Sequence, residues 1–302
     1  MFKHTLTHYF KQKIAPAPSA SYLLLLVLAG CASNGSQETI MYRDMFRETH
    51  TTSKVILDKL ALSERALFEE TRYSETIQKF DFIPSEARYY IETLDPPITA
   101  SLRDSLEIII AYIEAMAALA TGESTKLISA RASEIGALAT NMLVSFDDVT
   151  EPSVFSSIFD DTFQIIIPLK AFTPLVEYAI TQRTRREYQS QFLTNYENID
   201  TVLKNMRDLT PLMMNVVKTN IFLSSHSAGG SIADQEALGK LKAFRTLLAG
   251  WVVLIEGTRV ALRLAKQSLK SSSTSESIEI INTIKELDEV SKNLRMSITY
   301  IK

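Results

Sequence analysis

The chain has 302 residues, 46% of them hydrophobic and 22% charged, with a formal net charge of −3 at pH 7. This composition excludes wholesale disorder, and the mildly acidic balance argues against nucleic acid as a partner. Nine glycines and nine prolines are few for this length, which implies few turns and long helices.

The N-terminus divides into three parts. Met1 to Lys13 carries Lys3, Lys11 and Lys13 and no acidic residue, Ile14 to Ser21 is rich in Pro, Ala and Ser, and Tyr22 to Leu28 is apolar. A basic flank, a short apolar core and small residues behind it are the parts of a secretory signal. The apolar core falls far short of the ~20 residues that a spanning helix requires. It runs into Leu28-Ala29-Gly30-Cys31, and Cys31 is the only cysteine in the chain. This stretch resembles the signal and lipobox of the bacterial lipoproteins, a class defined by processing rather than by fold. The resemblance implies removal of residues 1–30, diacylglycerol on the Cys31 sulfur and acylation of its new amine. Ala32 rather than Asp after the cysteine implies sorting to the outer membrane, facing the periplasm. Several acyl chains make a stable anchor where one would be marginal.

Residues 31–39, small and polar, are expected to form a flexible tether, and 40–302 a single helical domain. Ile40 to about Phe80 contains neither Gly nor Pro and places Val55, Ile56, Leu60, Leu67 and Ile77 near helical spacing, with Thr51-Thr52-Ser53 as a point where the helix can kink. Ser85 to Leu94 suits a short helix stopped by Asp95-Pro96-Pro97. From Thr99 to Thr121, Leu102, Leu106, Ile109, Ile113, Met116 and Ala120 form one stripe, and Gly122 suits the helix end. Glu123 to Phe146 forms the second arm of an antiparallel hairpin, with a small face at Ala132, Gly136, Ala139 and Thr140.

Asp147 to Pro152 reads as a turn. The apolar stretch from Ser153 to Ile167 favours a helix, although Ile165-Ile166-Ile167 also suits a short strand. Leu175 to about Leu223 reads as a long helix that Pro211 kinks or splits after Thr210. Ser224 to Gly230 reads as a loop, Ser231 as the cap of a helix reaching about Leu269, and Ser271 to Ser275 as a further loop. Ile278, Ile281, Ile284, Leu287, Leu294, Ile298 and Ile301 support a final helix. The expected fold is all-α: an elongated bundle of six to eight helices in one domain.

Reactive constellations are scarce. His50 and His226 lack a metal-binding pattern, and no His-x-x-Glu, Gly-x-Ser-x-Gly, phosphate loop or dinucleotide fingerprint occurs. Ser225-His226-Ser227 is a loop triplet without triad geometry. Glu107 and Glu114 share a polar face seven residues apart. Glu256 and Arg259 suit an i,i+3 pair. Gly250 and Gly257 mark a close helix crossing. Met206, Met213, Met214 and Phe222 suit a core stripe. Arg259, Arg263, Lys266 and Lys270 form a basic stripe near a helix C-terminus. The stripe reads as a solvated face that complements the helix dipole, with contact to anionic lipid or envelope polymer as the sharper alternative. Arg183, Arg185 and Arg186 form a smaller knot.

The sequence therefore points to a non-enzymatic scaffold of the cell envelope. It would need no cofactor or metal, and would be held to the membrane by its lipid and engaged with an envelope protein or with itself. Two alternatives accompany it: a bundle that carries a small apolar ligand or lipid around Phe155 to Phe172, and a membrane-active protein that inserts Ile165 to Leu175 or Leu247 to Ile255.

Overall fold

The computed structural model describes residues 34–73, 82–147, 167–176, 184–228 and 231–270, with 285–286 and 289–290. Cys31, the stretch 153–166 and most of the expected final helix lie outside these residues. Among the described residues every regular element is helical.

Helix α1 (Asn34–Tyr73) runs for 40 residues. It begins inside the stretch expected to be a tether. Thr39, Tyr42 and Phe46 recur at helical spacing and are all buried, so packing carries the helix into a polar segment with little helix-forming drive of its own. Nor does Thr51-Thr52-Ser53 interrupt it. Their hydroxyls donate to the carbonyls of Arg47, Glu48 and Thr49, which satisfies them inside the helix.

A 3-10 turn (Pro84–Glu86) and the single-turn helix α2 (Ala87–Tyr90) follow, shorter than the helix expected over Ser85 to Leu94. Helix α3 (Pro97–Thr121) opens with proline in its first turn, where a missing N–H costs nothing. It closes at Gly122, whose φ of 81° is the left-handed conformation the sequence suggested. Leu102, Leu106, Ile109, Ile113 and Met116 are buried, but so are Ile108, Ala111, Tyr112, Ala115 and Ala117 on other faces. An apolar stripe implied one covered side; α3 is covered nearly all round, as a central helix is. It packs against α1 and against its hairpin partner α4 (Thr125–Asp147).

Gly136 of α4 marks a close approach. A Cβ there would lie 2.6 Å from Val176 Cγ2 and 2.7 Å from Val176 N. The neighbour is the segment behind a second 3-10 turn (Ile167–Phe172), whose Leu169 and Phe172 are fully buried. Ala132 and Ala139 share the buried face with Gly136, whereas Thr140 is exposed and donates to the Gly136 carbonyl.

Helix α5 (Arg185–Asp208) starts at a capping box, with Thr184 and Glu187 satisfying each other's backbone N–H. Leu209 separates it from α6 (Thr210–Ala228), so the split precedes Thr210 instead of following it. Helix α6 continues through the first part of the stretch expected as a loop, with Ser224 donating back to the Asn220 carbonyl. Helix α7 (Ser231–Lys270) is 40 residues long and packs on α1, α5 and α6. Of the expected final helix, 285–286 and 289–290 are helical, and Val290 lies partly buried on the core.

One continuous apolar cluster joins these helices. Tyr112 of α3 meets Phe172 and Phe192 edge-on, with centroids 5.8 and 5.4 Å away, and donates to the Phe192 carbonyl at 2.5 Å. Trp251 of α7 donates to Ser53 Oγ at 2.7 Å, and Ser53 in turn donates to the Thr49 carbonyl. The Tyr42 hydroxyl, by contrast, is buried with no hydrogen-bond partner among the described residues.

Two predictions follow from packing, both read from urea unfolding midpoints. Gly136→Ala lowers stability by about 1–3 kcal/mol through overpacking, whereas Gly239→Ala, at a helix position with nothing within 4 Å of the added methyl, raises it by roughly 0.5–1 kcal/mol. Tyr42→Phe is neutral or stabilising, because it removes an unpaired buried donor, while Tyr112→Phe destabilises by about 1 kcal/mol.

Candidate functional site

Within the basic stripe on α7, Arg259 and Lys266 turn to α5 and are largely covered, whereas Arg263 is exposed. Arg259 grips Asp200 of α5 with two bonds, 2.8 and 2.9 Å, and also donates to Glu256 at 3.1 Å. Glu256 receives Arg207 as well. One end of the seam is closed by Lys266, which pairs with Glu197 at 2.7 Å while its ammonium sits 3.7 Å from the centre of the Tyr196 ring. Arg263 also reaches Tyr196. As α5 ascends from Glu197 to Arg207, α7 descends from Lys266 to Glu256, so opposite charges meet in antiparallel register. The periodicity was visible in the sequence, but the acids that answer it are on another helix. Arg259, Arg263 and Lys266 thus bind α5; the side chains of Lys270, His226 and Arg185 lie outside the described residues, as does Arg183. Arg186 is exposed.

A second set of ion pairs ties α1, α3 and α4. Glu114 receives Arg47 of α1 and Arg131 of α4, each at 2.8 Å, so the face expected to be solvated bridges two neighbours. His50 lies 2.9 Å from Glu107, and this hydrogen bond holds the Glu107 carboxyl below the usual carboxylate range.

The strongest buried polar site is one the sequence reading missed. Glu64 of α1, 1% exposed, points at the N-terminus of α3. It accepts from Ile98 N (3.1 Å), Thr99 N (3.0 Å), Thr99 Oγ1 (2.8 Å) and Tyr89 Oη (3.2 Å). Pro96, at the N-cap position, offers no side-chain acceptor, and a buried helix start needs its free N–H groups satisfied. Glu64 supplies from a distant helix what an Asp or Ser would have supplied locally. Its neighbour Arg65 donates to the carbonyls of Tyr89, Ile91 and Leu94. Together the two fasten the segment between α1 and α3. The visible signal was the missing cap: Asp95-Pro96-Pro97 starts a helix with no residue to close it.

Burial pushes the Glu64 carboxyl up to about 7, while the hydrogen bonds from Thr99, Ile98 and Tyr89 act in the opposite direction. The carboxylate also borders a crevice lined by Leu60, Ile98, Leu209, Leu212, Met213 and Val216. The crevice volume of about 10 Å³ is that of a single water.

Other expected elements fall into place as packing. Met206 and Met213 are buried and Met214 packs on the core, while Phe222 is exposed. Leu247, Leu248, Trp251, Leu254 and Ile255 of α7 are core residues, and so are Leu169, Phe172 and Leu175 in and just behind the second 3-10 turn. Among the described residues no group of three His, Cys, Asp or Glu side chains is placed to hold a metal, and no helix is long and apolar enough to cross a membrane. The chain matches no protein-family model, no curated protein and no solved structure.

Glu64 makes stability depend on pH. Its folded value is raised above the unfolded one, so its contribution is complete below about pH 4.5 and is lost as pH rises through about 7. Urea titrations at pH 4.5, 6 and 8 are expected to show a loss on the order of 3 kcal/mol from this group. Glu64→Gln flattens that slope. Glu64→Ala, which strands two buried N–H groups, costs about 2–5 kcal/mol.

Proposed function

We propose that this protein is a lipid-anchored, non-enzymatic scaffold of the bacterial cell envelope, held at the outer membrane through Cys31 and facing the periplasm. The observation that carries this reading is Leu28-Ala29-Gly30-Cys31, which sits behind a basic flank and a short apolar core and contains the chain's single cysteine. The bundle supports it in two ways. Helix α1 begins at Asn34, close behind the anchoring position, so the domain stands near the bilayer surface. The prominent polar groups of the described residues, Glu64, Glu114 and the α5–α7 seam, are occupied in joining helices, which suits a body that holds partners rather than one that turns over substrate. The partner is an envelope protein or a second copy, engaged through side chains left on the surface.

Mass spectrometry of the protein from growing cells tests the anchor. The expected product begins at Cys31 and carries acyl chains, and Cys31→Ser leaves residues 1–30 attached and removes radiolabelled palmitate incorporation. An unmodified cysteine on a cleaved chain would sink the proposal.

A further inference from the structure

Among the described residues ten large apolar side chains are notably exposed, and half of them lie on two stretches that Arg65 ties together: Leu62 at 59% on α1, Phe82 at 71%, Tyr90 at 40%, and Ile91 and Leu94 at 43% each. The others are spread over α4, α6 and α7. Grouped exposure of this kind marks an interaction surface, whereas single exposed residues need no explanation. This group is also held firmly. Arg65 fixes the backbone of Ile91 and Leu94 through their carbonyls. Tyr89 stacks on Phe68 at 4.0 Å, Tyr90 Oη donates to Glu86 at 2.6 Å, and Phe82 leans on Tyr90 at 5.7 Å. Leu62 stands one turn before Arg65. An apolar surface set in advance loses little freedom on binding.

We propose that Leu62, Phe82, Tyr90, Ile91 and Leu94 form a docking surface for an amphipathic segment with basic flanks, belonging to another envelope protein. Two observations select this occupant over a bilayer or a second copy. Among the described side chains, the exposed charges at the edge of the patch, Glu69 and Glu70 on α1 and Glu92 beside Ile91, are all acidic. The nearby cations whose side chains are described are withdrawn: Arg65 is buried against carbonyls, and Lys59 and Arg88 are half-buried, with Arg88 acting on Asp104. An acidic edge repels anionic headgroups and a second acidic edge alike, and it attracts Lys or Arg. The other observation is distance. Leu62 lies on the order of 40 Å along α1 from Asn34 at 1.5 Å per residue, which sets the patch away from the anchored end. This second argument rests on the lipid-anchor reading; the patch and its charge do not.

The test uses the purified full chain and two short synthetic helical peptides, one of leucine and lysine and one of leucine and glutamate, followed by fluorescence anisotropy. The leucine–lysine peptide is expected to bind with an affinity that weakens as salt rises. Binding should fall at least about tenfold in Ile91→Ser/Leu94→Ser, a loss typical of truncated anchor residues, with an unchanged unfolding midpoint. A second variant, Leu62→Ser, should do the same through a different element. Equal binding of both peptides, or full binding by both variants, overturns the proposal. In cells, a photo-crosslinker at Ile91 is expected to trap a protein whose contacting segment is amphipathic and basic. Adducts to lipid, to a second copy or to this chain's own C-terminal residues count against it. The titration does not depend on acylation, so an unacylated Cys31 leaves the docking surface standing, and a failed titration leaves the anchor standing.

Discussion

The arrangement depends on how the first turn of α3 is satisfied. A helix covered on nearly all sides has the most apolar surface to offer the core, but its N-terminal amides must then find acceptors inside the protein. Pro96 and Pro97 remove two donors and supply no side-chain acceptor. Glu64 of α1 accepts from the next two backbone amides, and with Arg65 it fastens the intervening turn. One dipeptide on the longest N-terminal element thereby sets where the central helix begins, and the hairpin to α4 inherits that position.

Around this centre, charges do the work of alignment. The α5–α7 seam pairs Glu197, Asp200 and Arg207 with Lys266, Arg259 and Glu256 in order. On the other side of the bundle Glu114 joins α1 to α4 across α3. Half-exposed pairs add little stability singly. Their value here is register: a helix displaced by one turn would bring like charges together.

Much of this was legible because it is local. Gly122 closing a helix and the stripe of Leu102, Leu106, Ile109 and Ile113 need only neighbours along the chain, whereas Pro97 read as a breaker and in fact opens α3. What was not legible is what requires a partner. The period of Arg259, Arg263 and Lys266 was plain, but its meaning waited on acids some sixty positions earlier. Glu64 looked like one more charge on an amphipathic helix, since the amides it caps lie across a turn. The polar residues around Asn34 to Glu38, and Ser224 to Ala228, read as tether and loop by composition, yet packing at Thr39 and the run of α6 draw them into helix. One local signal was simply passed over: Thr184-x-x-Glu187 has capping-box spacing and marks the start of α5. Of the functional reading, the lipobox is wholly a matter of sequence.

The bond from Trp251 to Ser53 has a practical consequence. The chain contains one tryptophan, and it is buried where the longest N-terminal helix meets the longest C-terminal one. Its emission wavelength therefore reports a single junction, without contributions from elsewhere in the molecule. Any event that separates those two rods, however small its effect on total helix content, would be seen as a red shift before circular dichroism registered a change.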